Sequence, residues 1–170
     1  MSVGLLAFTI FHTLISLVGI VAGLVVLYGL LVNKRYDGWT LWFLITTVAT
    51  SVTGFMFPVH HFMPAHALGI ISLLILPVAI YARYARQMAG HLRLTYVITA
   101  MLSLYLNCFV LVVQSFMKIP PLKALAPTQS EPPFAIAQLV VLLAFIVLTI
   151  VAAIRFRPTP VGAGATLSMN

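Results

Sequence analysis

Five histidines are the side chains best suited to chemistry in this sequence, and they are unevenly spread: His12 stands alone in the first apolar run, His60, His61 and His66 cluster in one stretch, and His91 sits in a basic turn. Neutral imidazole ligates Zn, Cu and Fe, haem iron included, and it also handles protons. The cluster lies in Gly54-Phe-Met-Phe-Pro-Val-His-His-Phe-Met-Pro-Ala-His-Ala-Leu-Gly69, between two apolar runs, which reads as a short turn joining two membrane-spanning helices. Across its proline turn, His61 and His66 can converge on one ion with His12 approaching from below, although the spacing matches no standard ligand signature. Carboxylate chemistry is excluded. Asp37 and Glu131 are the only acids and fall on opposite sides of the predicted membrane layer, so neither two-carboxylate hydrolysis nor a carboxylate-rich metal site is available. The sequence has no nucleophile triad, Gly-rich phosphate loop or CxxC pair, and an enzyme with its own soluble substrate does not fit. The single Cys108 cannot form an intrachain disulfide and reads as a small packing residue.

What must hold these histidines is a set of apolar helices. Of the 170 residues, 62% are hydrophobic and 6% charged, and the mean hydropathy is +1.15, far from the roughly 25% charged residues of soluble domains. The composition predicts an all-α polytopic membrane protein: one domain over residues 1–157 with five spans at about 4–32, 39–57, 65–85, 94–117 and 134–154, followed by a flexible tail over 158–170. The first run reads as a retained helix, since it lacks the basic start and small-residue cleavage site of a signal peptide. A net charge of +7 would suggest nucleic acid in a soluble protein. Here the basic residues sit singly or in pairs at the ends of apolar runs, which indicates topology and no nucleic-acid partner.

Helical spacing puts His12, Ser16, Gly19 and Gly23 on one face of the first span, with Gly19 and Gly23 forming a small-xxx-small pattern that lets helices approach closely in lipid. The second span is rich in hydroxyls (Thr46, Thr47, Thr50, Ser51, Thr53), which bond back to their own helix or line a polar path. Thr99, Ser103, Asn107 and Gln114 share a face of the fourth span, and Gln138 lies near the start of the fifth. Pro77 is expected to kink the third span. The segment from Lys118 to Pro133, with five prolines, is expected to be stiff and extended across the mouth of the bundle.

Seven of the nine Lys and Arg residues (Lys34, Arg35, Arg83, Arg86, Arg93, Arg155, Arg157) fall on one side and two, Lys118 and Lys123, on the other, which predicts an N-out, C-in topology. At 1.5 Å per residue, His12 then lies roughly 12 Å below the outer end of its helix, Gln114 roughly 6 Å, Asn107 roughly 16 Å and Gln138 roughly 8 Å. All fall in the outer half. Intramembrane imidazoles and amides are costly, so this layer is the candidate site, with His12, His61 and His66 as possible metal ligands and His12, His66, Asn107, Gln114 and Gln138 as possible cofactor-binding residues.

Gly38-Trp-Thr-Leu through Gly54-Phe, Pro64-Ala-His-Ala-Leu-Gly-Ile-Ile-Ser72, Tyr105-Leu-Asn107 and Ala124-Leu-Ala-Pro-Thr-Gln-Ser-Glu-Pro-Pro-Phe134 together resemble a group of small five-span bacterial inner-membrane proteins. The resemblance covers nearly all of residues 9–157 and implies a multi-pass inner-membrane location without implying an activity. A looser likeness is to small cytochrome-b-type helical bundles, which implies haem b held by histidines. Three readings stay open: a metal ion or haem on the outer side, a polar pocket or path for a quinone-like molecule, solute or proton, and a non-catalytic subunit of a larger membrane complex or homo-oligomer. Beside them stands the plain alternative that the imidazoles only hydrogen-bond to the loop, to Asn107 or Gln114, or to water.

Overall fold

A computed structural model describes residues 3–58 and 64–157, with side chains from His66 onward in the second segment. His60, His61 and the tail over 158–170 lie outside the described residues, so the predicted His61 ligand has no place in the geometry below. The described chain is all-helical: α1 (Val3–Leu31), α2 (Asp37–Gly54), α3 (Pro64–Ile80) running on into a widened π turn (Tyr81–Ala85), α4 (Leu92–Lys118), a short α5 (Pro120–Leu125) and α6 (Pro132–Arg155). Four helical stretches are long and apolar enough to cross a membrane: Val3–Leu31, His66–Ala85, Leu92–Lys118 and Pro132–Arg155. The hydroxyl-rich α2 is not among them, although it packs lengthwise between α1 and α3.

Helices α1 to α4 form a ring in chain order, and α6 lies outside it against α4 and α1. The core is a layer of fully or nearly fully buried side chains, Phe43, Leu76, Val97, Met101 and Leu104, nearer the end of the bundle that carries Arg35 and Arg83. Gly23 sets the tightest point of this layer. A Cβ there would lie 2.5 Å from Leu104 Cδ1 and 2.9 Å from the Phe43 ring, so α1, α2 and α4 converge where only a hydrogen fits. Gly19, one turn earlier, rests against Thr46 Oγ1 at 3.0 Å. The small-residue face read from the sequence is thus a packing seam.

Three expectations are revised. The proline-rich segment is not extended throughout, because Pro120 and Pro121 fall at the first helical positions of α5, where a missing N–H leaves no bond unmade. Pro77 sits inside α3, which continues past it as an α-helix, and the irregularity comes later, in the π turn. The basic side chains at the far end are more than topology markers, since Arg93 donates to the Ala153 carbonyl at 2.9 Å and to that of Phe156, closing the C-terminus of α6.

Gly23→Leu should lower the stability of the detergent-solubilised protein by about 1–3 kcal/mol or more, because neither Leu104 nor Phe43 has room to yield. Leu24→Ala, at a position 47% exposed, should be nearly neutral. Thermal unfolding measured on both variants checks this, and equal losses would show that the seam is not where packing is decided.

Candidate functional site

A single helix face organises the polar groups. Thr47, Thr50 and Thr53 follow one another on α2 at three-residue spacing, and since each such step falls about 60° short of a full turn, the stripe swings gradually around the helix. At its deep end Thr47 Oγ1 accepts from Asn107 Nδ2 of α4 at 3.2 Å. One step up, the Thr50 hydroxyl meets that of Ser16 of α1 at 3.3 Å and donates to it, since the Ser16 proton goes to the His12 carbonyl at 2.7 Å, and at the top Thr53 Oγ1 contacts His12 Nδ1 of α1 at 2.8 Å. Interhelical bonds of this kind average about 0.6 kcal/mol in membrane proteins, so the three set register more than stability.

The His12 contact also fixes a tautomer. Thr53 Oγ1 lies 2.7 Å from the Ala49 carbonyl oxygen, which can only accept, and a hydroxyl has one proton. Both contacts are hydrogen bonds only when Thr53 donates to Ala49 and the imidazole donates from Nδ1. Nε2 is then the bare nitrogen, and it makes no hydrogen bond among the described residues. Phe57 meets the ring edge-on, with centroids 5.1 Å apart, and closes its other side.

Above the core layer, α1 to α4 enclose a cavity of about 500 Å³. His12 and Ser16 reach it from α1, Thr50 and Ser51 from α2, His66 and Ser72 from α3, and Asn107, Gln114 and Lys118 from α4. Leu17, Ile20, Leu106, Val110 and Leu111 supply apolar wall. Leu17 and Leu111 line the cavity and are nevertheless 42% and 39% exposed, so it opens sideways between α1 and α4. The two helices part above Gly23 like the arms of a V. His66 stacks on Phe55, whose ring lies over Gly69 where a Cβ would be 2.9 Å away.

Four of the five predicted cofactor-binding residues, His12, His66, Asn107 and Gln114, line this cavity. Gln138 does not. It lies on α6, against the opposite side of α4, and donates through Nε2 to the Phe109 carbonyl at 3.2 Å. His12 is also shallower in the bundle than its place along α1 implied, because α1 rises beyond α2 and His12 is level with the last turn of α2. Among the described residues, no group of three or more His, Cys, Asp and Glu gathers as a metal set.

A second polar cluster, at the other end, escaped the sequence reading. Arg83 projects from the π turn into the bundle and is 4% exposed. Its Nη2 donates to Asp37 Oδ1, its Nη1 reaches Met88 Sδ at 3.5 Å, and its guanidinium lies 5.5 Å from the ring centre of the buried Tyr96, whose hydroxyl bonds with Thr40. Arg35 Nε stands 3.5 Å from the same carboxylate oxygen. The signal available was that Asp37 is the only acid on a side otherwise basic.

At the cavity end, the one acid is already engaged. Glu131 accepts from the Thr128 N–H and hydroxyl at 3.1 and 2.9 Å and from the Ser130 N–H at 3.1 Å. Slight desolvation pushes its carboxyl up, but these bonds outweigh it and hold the group below the usual carboxylate range. Comparison with protein-family models, with curated proteins and with solved structures gives no match.

Asp37→Ala should destabilise the protein by about 1–3 kcal/mol, less than for a fully buried pair because the carboxylate is 65% exposed while the guanidinium is not. Adding Arg83→Met should recover part of that loss, as removing a stranded buried charge does. Denaturant titration of both variants measures the difference, and a double variant no more stable than Asp37→Ala would overturn this account of the pair.

Proposed function

We propose that this protein is a multi-pass membrane protein, with α2 as a fifth span and the proline-rich side facing outward from a bacterial inner membrane, whose cavity binds an amphiphile, quinone-like in joining a polar head to an apolar tail, taken up from the bilayer. The observation that carries this is the cavity of about 500 Å³ with a sideways opening between α1 and α4. Its size falls in the range of about 300–1,000 Å³ usual for small-molecule pockets. Its walls match a molecule with a hydrogen-bonding head and an apolar tail, since polar groups converge from four helices while leucine, isoleucine and valine side chains complete the lining.

Two rival readings fit less well. A solute or proton path needs continuity, yet between Thr47 and Thr40 of α2 lie about 10 Å filled by Phe43, Leu76, Val97, Met101 and Leu104. The hydroxyls in that layer are spent on their own helices, Ser103 on the Thr99 carbonyl at 2.8 Å and Thr46 on that of Trp42 at 2.6 Å. A bare metal ion uses the two imidazoles and leaves most of the apolar wall without a role.

Native mass spectrometry of the protein released from mild detergent should show a lipophilic adduct, or uptake of an added short-tailed benzoquinone, that falls several-fold in Leu17→Trp and Leu111→Trp. These residues flank the opening and are exposed enough for the fold to tolerate the change. Undiminished adduct in both variants overturns the reading, and a Soret band or one metal ion per chain in the wild type replaces it with the cofactor site.

In a Cys108→Ser background, an impermeant thiol reagent applied to intact cells should label Ser130→Cys and spare Ser168→Cys. The reverse pattern would invert the proposed topology.

A further inference from the structure

Among amphiphiles, the cavity makes a choice that rests on the pocket reading above. Lys118 is the only charged residue lining it. Among the described residues Lys118 makes no ion pair, both ion pairs there belonging to Asp37 at the other end of the bundle. The nearest acid along the chain, Glu131, is occupied by Thr128 and Ser130. A cation at the mouth of an apolar cavity with no acid in its lining is a charge imbalance that a ligand can correct.

The second observation is independent of that charge. Because His12 donates from Nδ1 to Thr53, its Nε2 is an open acceptor on the same cavity. The levels of the two groups agree. Helices α2 and α4 run in the same direction, and the Asn107–Thr47 bond puts them in register. From that level, His12 stands at Thr53, six residues and about 9 Å higher, while the Lys118 backbone is eleven residues and about 16 Å higher. The remaining 7 Å or so is what the four-carbon stem of a lysine can bridge.

We propose that the ligand carries an oxyacid head, a carboxylate or phosphate, held between the Lys118 ammonium and Nε2 of His12, with a single alkyl or prenyl tail along Leu17, Leu106, Val110 and Leu111. A neutral quinone gives Nε2 nothing to accept, since its carbonyls are acceptors too, whereas an acid hydroxyl donates to Nε2 directly. Should that proton move fully, the O–H bond breaks, an Nε2–H bond forms, and an oxyanion is left between imidazolium and ammonium. Either form satisfies both groups.

Three probes of one chain length, hexadecanoate, hexadecyl phosphate and hexadecanol, are titrated into the full-length protein in a nonionic detergent. At least one anionic probe is expected to bind tenfold or more tightly than the alcohol. Lys118→Gln should cut that advantage at least fivefold while leaving hexadecanol unchanged, and Lys118→Arg should restore most of it. A phosphate preference identifies a lipid phosphate as the natural head, and a carboxylate preference or parity identifies a free fatty acid. Equal binding of anionic and neutral probes, or an anionic advantage that survives Lys118→Gln, overturns the oxyacid head while the amphiphile pocket stands. Failure of all three probes to bind overturns the oxyacid head, and the adduct and benzoquinone measurement above then decides the amphiphile pocket.

Discussion

The close approach of α1 to α2 and α4 at Gly23 governs everything above it. Two helices that touch at one level and carry larger residues away from it must diverge, and α1 and α4 do so toward the proline-rich end. The cavity is the space that divergence opens. A cavity in a bundle this small is not held by its own walls but by whatever fixes the angle at its base, which here is a glycine and two large side chains, Phe43 and Leu104, fully buried against it. Protein interiors are close-packed to crystal-like density, so this base transmits strain and does not absorb it.

Helix α2 carries the other half of the design. Its hydroxyls serve two demands: Thr46, Ser51 and Thr53 bond back to carbonyls of their own helix, while Thr47, Thr50 and Thr53 meet side chains of neighbouring helices. His12 and Asn107 donate into that set, and Ser16, whose own proton goes to the His12 carbonyl, accepts from Thr50. The same helix begins at Asp37, which holds Arg83, so one element ties both polar ends of the molecule to a common register. Those hydroxyls and Asp37 also leave α2 outside the helices long and apolar enough to cross a membrane, and it is in contact with α1 and α3 along both flanks.

Much of this was legible in the sequence, and the parts that were not share a cause. Period and composition gave the all-helical architecture, the placement of the long helices and the seam at Gly19 and Gly23, because these depend on spacing along one helix. The convergence of His12, His66, Asn107 and Gln114 followed from depth along helices. Gln138 failed on the same logic, since depth says nothing about which side of α4 a neighbouring helix occupies, and α6 packs on the side away from the cavity. The level of His12 against α2 was not legible either, because the relative sliding of two helices is set by side-chain pairing such as His12 with Thr53. Arg83 was hidden for a further reason: a π turn adds a residue to the helical cycle, so a position that regular spacing assigns to the surface is turned inward.

The two polar clusters differ in a way that bears on what each can do. At the basic end, Asp37, Arg35, Arg83, Tyr96 and Thr40 face one another, the charges of Arg35 and Arg83 meet the Asp37 carboxylate although Arg83 Nε has no partner among the described residues, and the adjoining space of about 10 Å³ holds no more than one water. Such a cluster is closed and structural. At the cavity end the complement is missing: an ammonium without a carboxylate, an imidazole nitrogen without a donor, and about 500 Å³ beside them. Polar groups that face one cavity and have no partner there among the described residues offer a place to a molecule from outside the chain. The sideways opening says from where. A molecule that passes between Leu17 and Leu111 leaves acyl chains for a wall of the same apolarity, so the tail contributes little net driving force. The head groups must supply the preference, and Lys118 and His12, at the proline-rich end of the cavity, are the groups placed to do so.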